Sequence, residues 1–284
     1  MLAYRHAFHA GNHADVLKHI VFTRVLRYLN QKDKPYRLVD THAGAGGYSL
    51  EGQYALKKNE YLDGIARLWE LHQRGETLPE LAADYLACVR EFNPDGKLTQ
   101  YPGSPAFSHM LLRPQDQLRL YELHNTDHRI LASYLGDVKG VQIHNADGFD
   151  GLKSQLPPPS RRGAVLMDPS YEGHHDYGRV IASLREGLAR FAEGVYMVWY
   201  PQVTKVEAAQ LPRRLEALAP KGFLHVRLTV QRPDAQGFGL AGSGMFILNP
   251  PYTLHDEMQA LLPWLVEVLG QYDDAHYLIE QRAA

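Results

Sequence analysis

Gly163-Ala164-Val165-Leu166-Met167-Asp168-Pro169-Ser170-Tyr171 joins an unbroken apolar run to an acid, a proline and an aromatic ring. An apolar run without polar alternation is what a strand covered on both faces requires, and such strands belong to mostly parallel sheets. Asp168 then falls at the carboxyl end of its strand, the edge where open α/β sheets place ligands. A carboxylate there accepts a hydrogen bond from an exocyclic amine, and the Pro169 carbonyl accepts the amine's second proton. Two such acceptors bias the nitrogen lone pair toward attack on a methyl sulfonium. Tyr171 offers a flat face for an extruded base, an interaction worth ~1–3 kcal/mol. Free carboxylates titrate near ~4, so Asp168 is a poor base toward a neutral amine. It is expected to orient the amine and take the proton once methyl transfer has made the nitrogen cationic. The competing reading is a strand-end Asp-Pro turn beside a core tyrosine.

The flanking sequence repeats this pattern. Residues 36–40 read as a short buried strand that runs into Thr41-His42-Ala43-Gly44-Ala45-Gly46-Gly47. Glycines at such a turn let the backbone approach a nucleotide-like ligand, although an ordinary strand-to-helix turn would look alike. A dinucleotide site wants an acid ~20 residues further on. The acid available, Glu122 at the end of a strand over 117–123, lies much later. It fits only if the helices between are an insertion, which speaks against a plain nicotinamide enzyme. A strand over 140–144 ends at Ala146-Asp147-Gly148. Asp147 is placed to receive an adenine amino group, or is the ordinary aspartate of an Asp-Gly turn. Further strands are expected at 194–200, 224–230 and 244–248, the last two as a terminal hairpin. Helices are expected from Asn12 or Asp15 to about residue 30, over 60–90, 129–135, 177–191 and 206–218, with Ser104 capping another. Alternation of strands and helices predicts an α/β fold: a Rossmann-like, mostly parallel sheet with a small inserted helical subdomain. Its expected bounds are 1–50 and 97–284 for the main domain and 51–96 for the insertion.

Composition narrows the function classes. The chain has 284 residues, 45% hydrophobic, enough for a sizeable core. Its net charge of −2 argues against a protein that coats nucleic acid by charge alone. One cysteine, Cys88, permits no internal disulfide and indicates a cytoplasmic protein. Residues 1–18 resemble neither a signal nor a transit peptide, and no apolar run approaches the ~20 residues of a membrane span. His9 and His13 are four apart but lack the glutamate of a zinc motif, so no metal is expected. Residues 1–30 read as an RNA- and cofactor-binding segment. His19 would meet a cofactor carboxylate, and Tyr4, Arg5, His6 and Lys18 would meet RNA phosphate or base, unless this is a solvated helix end. Arg161, Arg162, Arg213, Arg214 and Lys221 form an RNA face only if they cluster. Asn249-Pro250-Pro251-Tyr252 matches an amine-binding tetrapeptide by letter but follows the last strand, and reads as structural.

Taken together, these residues resemble a known family. Gly11-Asn12-His13-Ala14-Asp15-Val16-Leu17-Lys18-His19, Asp40-Thr41-His42-Ala43-Gly44-Ala45-Gly46, Tyr101-Pro102-Gly103-Ser104-Pro105, Glu122-Leu123-His124, Ser160-Arg161-Arg162-Gly163 and Trp199-Tyr200-Pro201 are similar to the RlmJ-type 23S ribosomal RNA adenine-N6 methyltransferases. The resemblance implies an S-adenosylmethionine-dependent enzyme, a monomer acting on one flipped adenine of 23S ribosomal RNA. It implies that His19, His42, Gly44, Gly46, Ser104, Glu122, Asp147, Gly148 and Asp168 surround the cofactor, that Asp168, Pro169 and Tyr171 are catalytic, and that Tyr4, Arg5, His6 and Lys18 serve the RNA. The family has a second proline where this chain has Ser170. Serine relaxes φ and restores an N–H, predicting a looser loop with its chemistry intact. The alternatives are methylation of DNA or another amine, and a non-catalytic RNA-binding module.

Overall fold

The computed structural model describes residues 6–219, 221–233 and 239–283. Its strands are β1 (Arg37–Asp40), β2 (Gly47–Ser49), β3 (Gln100–Pro102), β4 (Gln117–Tyr121), β5 (Val141–His144), β6 (Gly163–Met167), β7 (Val195–Gln202), β8 (Phe223–Thr229), β9 (Gly242–Leu248) and β10 (His276–Arg282). Its α-helices are α1 (His13–Asn30), α2 (Gln53–Lys58), α3 (Ile65–Gln73), α4 (Glu80–Glu91), α5 (Ser104–Leu111), α6 (Asn125–Leu135), α7 (Gly148–Gln155), α8 (His174–Arg190), α9 (Val206–Glu216) and α10 (Leu254–Leu269).

The main sheet runs β10-β8-β9-β7-β6-β1-β4-β5. β5, β4, β1, β6 and β7 are mutually parallel, and β9 is antiparallel to both β7 and β8. The chain builds outward from β1 to one side through β4 and β5, then returns to build the other side from β6. The order therefore reverses between β1 and β6, and the crevice outside their carboxyl ends is where this fold class binds ligands. The expected Rossmann-like sheet with a terminal hairpin is what is found, with β10 added at the edge beside β8.

One core cluster lies under α1, α10 and the helices between β2 and β3; the other lies under α7, α8 and α9. Asn12 caps α1, its Oδ1 accepting from the N–H groups of Ala14 and Asp15. Leu17, Val21, Val25 and Leu29, spaced four apart, are buried, and so are Val16, Ile20, Phe22 and Leu26. A helix apolar on this many sides has to lie inside the protein, and α1 packs across β9 and against α4 and α5.

The expected single helical stretch over 60–90 is a 3₁₀ turn, Glu60–Asp63, followed by α3 and α4, with Pro79 interrupting. Ile65, Leu68, Trp69, Leu81 and Tyr85 from these helices belong to the same apolar cluster as Leu38 of β1 and Leu118 of β4. β2 and β3 pair antiparallel at the base of the excursion and return the chain to the crevice. Ser104 is not a cap: Gly103 occupies the cap position, and the Ser104 hydroxyl donates instead to Asp40 at 2.6 Å. The apolar side chains of α3 and α4 thus have no separate core to fall back on. Leu68→Ala should lower the stability of the whole chain by about 2–5 kcal/mol. Urea unfolding followed by circular dichroism should keep one cooperative transition, whereas an early second transition would show that the excursion folds alone.

Candidate active site

The carboxyl ends of β1, β4, β5 and β6 open on one cleft. His6, Lys18, His19, His42, Gly44, Ser104, Glu122, Asp147, Gly148, Asp168 and Pro169 all line it. Residues far apart in sequence are thus brought together. Gly46 does not line the cleft: its carbonyl accepts the Gly103 N–H at 2.9 Å, and its φ of +87° makes the turn. Tyr4 and Arg5 lie outside the described residues.

Each strand end is fastened by local chemistry. The Glu122 carboxylate accepts the backbone N–H of Gly44 at 2.8 Å and that of His124 at 2.6 Å. The glycine turn and the acid after β4 are therefore one unit. Burial raises the pKa of Glu122 despite these donors. Asp147 caps α7 through the Phe149 N–H at 3.0 Å and pairs with Arg179 at 2.7 Å. Burial opposes its ionisation, but Arg179 prevails and its pKa is lowered. Gly148 admits no side chain, because a Cβ there would sit 1.9 Å from the Thr41 carbonyl. His42 is held neutral by burial, its pKa lowered to about 4.

His19 carries a directional signal. Its Nδ1 lies 2.7 Å from the Tyr101 hydroxyl, which lies 2.9 Å from the Tyr85 hydroxyl. Every proton in this row is used when Tyr85 donates to Tyr101 and Tyr101 donates to Nδ1. Nε2 then carries the hydrogen, and Nε2 is buried without a protein partner on a residue that lines the cleft. Burial and Lys18 keep the ring neutral, its pKa well below the ordinary value.

Lys18 does not belong to a solvated helix end. Its side chain is 4% exposed, and Nζ lies 2.8 Å from Asp15 and 2.5 Å from Asp168. Burial alone would lower the Lys18 pKa, but the two carboxylates outweigh it and raise it. Asp15, which sequence reasoning missed, also accepts from the Gly11 N–H at 2.9 Å and lies 2.8 Å from His6 Nε2. Burial is more than offset there by His6 and Lys18, and its pKa falls well below the usual range. The signal for Asp15 was available as an i, i+3 pair with Lys18 inside an apolar helix.

Asp168 is 14% exposed on its side chain and lines two cavities, the cleft and a second hollow shared with Asp15, Tyr171, Trp199 and Lys205. Lys18 holds its Oδ2, and its Oδ1 has no partner among the described residues. Tyr171 departs from expectation. It is 2% exposed, its ring packs 4.6 Å from that of Tyr177, and its hydroxyl donates to the Trp199 carbonyl at 2.7 Å. It has no open face for a base. Its φ of +53° is a strained conformation for a bulky residue, held because Lys205 donates to its carbonyl at 3.0 Å. These contacts fix the turn where Ser170 replaces a proline ring. The Asn249 tetrapeptide lines none of these hollows, and its Asn249 side chain donates to the Ala192 and Gly194 carbonyls. Arg162 likewise folds back on the Leu29 and Lys34 carbonyls.

Among the described residues no group of His, Cys, Asp or Glu could hold a metal, and no helix is long and apolar enough to cross a membrane. His9 instead bonds Glu60 at 2.8 Å.

Comparison with known proteins agrees with this geometry. The family model described as ribosomal RNA large subunit methyltransferase D, RlmJ, matches residues 33–281. A protein of Escherichia coli (strain K12) named ribosomal RNA large subunit methyltransferase J is 45% identical over 265 residues, 93% of each chain. Its namesake in Haemophilus influenzae is 43% identical over 281 residues, 99% of this chain and 98% of that one. A crystal structure of a Legionella pneumophila protein, 36% identical, superposes with a TM-score of 0.87 over 96% of this chain and 98% of that one. A probable spermidine synthase of Corynebacterium glutamicum shares the fold alone, at 11% identity and a TM-score of 0.50, over 92% of this chain and 74% of that one.

Two outcomes test the electrostatics. Lys18→Met leaves two carboxylates uncompensated, one of them fully buried, and should cost about 3–5 kcal/mol in urea unfolding at pH 7. Asp40, fully buried beneath Ser104, has its pKa raised by burial from 3.8 to about 6. The folded protein therefore holds that proton more tightly than the unfolded chain, and stability falls as pH rises from about 4 through about 6. Asp40→Asn should remove that dependence, so the variant's stability relative to the parent should climb across this window. A constant difference between pH 4 and pH 7 would refute the assignment.

Proposed function

The chain belongs to the RlmJ family of large-subunit ribosomal RNA methyltransferases, and on that footing we propose that it moves the methyl group of S-adenosylmethionine to N6 of one adenine in 23S ribosomal RNA. The observation that carries this reading is Asp168 on the wall between two cavities, one carboxylate oxygen taken by Lys18 and the other without a partner among the described residues.

The cleft fits the cofactor by the chemistry of its donors. Glu122, fixed by two backbone N–H groups, suits the ribose hydroxyls. The unpartnered Nε2–H of His19, on a residue that lines the cleft, suits a carboxylate. Asp147, at the end of β5, suits an adenine amine. Gly44 and Gly148 let the walls pack closely, since a Cβ would meet the Tyr48 hydroxyl at the one and the Thr41 carbonyl at the other. When bound, the cofactor supplies a methyl group on a positively charged sulfur.

The second hollow is assigned to the target adenine, which must leave its stack to reach it. The Asp168 oxygen that Lys18 leaves free accepts one N6 proton, while the Pro169 carbonyl, which has no donor among the described residues, accepts the other. The amine is thereby oriented with its lone pair toward the cleft. As the nitrogen becomes cationic its acidity rises steeply, and Asp168 takes the proton. Tyr171 is a buttress in this scheme: its hydroxyl fixes the Trp199 backbone, and the half-buried Trp199 ring lines the hollow where a base would stack. His6, paired with Asp15, closes the same wall. The enzyme is assigned to the cytoplasm and acts as a monomer.

Asp168→Ala should lower methyl transfer at least ~100-fold while S-adenosylhomocysteine still raises the melting temperature as in the parent. The measurement is tritium transfer from labelled cofactor to unmodified ribosomal RNA, with the product base identified by mass spectrometry. Unchanged transfer, or a methyl group found elsewhere than N6 of adenine, sinks the proposal.

A further inference from the structure

A third hollow opens between α9 and the sheet. Pro201, Val203 and Gly239 line both it and the hollow assigned to the target base, so the two adjoin. The remainder of its wall is mostly small or rigid and apolar, with Ala208 and Pro212 from α9 and Ala241 from the approach to β9.

Into this wall β8 contributes Arg227. It lies on the same strand face as Phe223 and His225, flanked in register by Gly244 of β9 and Leu278 of β10, neither of which offers an acceptor. Arg227 is half-buried, and its Nε is shut off from solvent without a hydrogen-bond partner. Among the described residues it makes no ion pair, and it is the only charged residue lining the hollow. A guanidinium withdrawn from water ordinarily faces an anion. Elsewhere in this chain half-buried and buried arginines meet carboxylates or carbonyls: Arg24 meets Glu257 and Arg179 meets Asp147, while Arg119 bonds the Leu118 and Gly140 carbonyls. The Arg227 Nε has neither among the described residues. The hollow thus holds a donor without an acceptor, beside small apolar walls.

We propose that this hollow is a subsite for the nucleotide adjacent to the target adenine, with the Arg227 guanidinium on its phosphate. The inference rests on the RNA reading above and extends it. A polynucleotide with one base inserted beside Asp168 must run out past neighbouring surface, and the hollow that adjoins this point carries a cation without an ion pair among the described residues. Arginine suits the role because its planar fork meets two phosphate oxygens at once. A phosphate contact positions the strand without reading its sequence.

The test uses the full chain and an RNA hairpin carrying the target adenine. Arg227→Gln should raise KM for the hairpin about ten-fold with kcat within about two-fold, and should flatten the slope of log Kd against log[KCl] by about 1. Arg227→Lys should recover most of the affinity and the slope. The melting-temperature shift with S-adenosylhomocysteine should be equal in all three proteins, which separates a strand contact from damage to the fold. Parental KM and slope in Arg227→Gln would overturn the subsite while leaving the RNA reading intact, and so would weaker binding with an unchanged slope. If the parent protein itself neither binds nor methylates the hairpin, the RNA reading falls and the subsite with it.

Discussion

A buried lysine ties the first helix to the turn after β6. Lys18 enters from α1, and Asp168 leaves from the end of β6, on the other side of the polypeptide's central excursion. Neither is tolerable alone in that position, since a lone charge withdrawn from water costs several kcal/mol. Asp15 supplies the second carboxylate, and the Gly11 N–H and His6 complete the set of partners. The consequence is geometric as well as energetic. The approach of α1 to the sheet is fixed by an ion triad at the point where chemistry is proposed. The N-terminal segment therefore cannot shift without disturbing the carboxylate that would orient the acceptor amine.

The second constraint is the return of the strand order at β1 and β6. That reversal opens a crevice, and the cleft residues are the tips of the strands around it. Glu122 shows how little is left to chance there: it binds the glycine-turn backbone while presenting a carboxylate to the cleft. The same economy holds at Asp147, which is at once a helix cap, the partner of Arg179 and part of the wall.

Much of this was legible in the sequence because it depends on local pattern. β6 is uniformly apolar and ends in an acid, so its place and polarity could be read. The stripe of α1 and its Asn12 cap were equally plain. β2 and β3 are three residues each, too short to carry a period, and became visible only through their pairing. β10 is a mostly exposed edge strand whose apolar residues give little alternation. α10 has apolar residues at helical spacing but follows a proline-rich tetrapeptide that drew attention to the turn instead. At the site, sequence position identified which residues stand at strand ends but not which way their charges are spent. Ser104 looked like a cap and is a donor to a buried acid. Tyr171 looked like a platform and is packed inside. Both errors have one cause: a polar or aromatic side chain near a strand tip has partners from other elements that spacing cannot reveal.

The row from Tyr85 through Tyr101 to His19 has a polarity of its own. Running it backwards would leave the Tyr85 hydroxyl proton buried with no acceptor among the described residues, a penalty of about 1–3 kcal/mol. The far end of that row, on a residue that lines the cleft, is then a donor only. A hydroxyl on α4, deep in the excursion, thereby sets the tautomer of a histidine on the cleft wall.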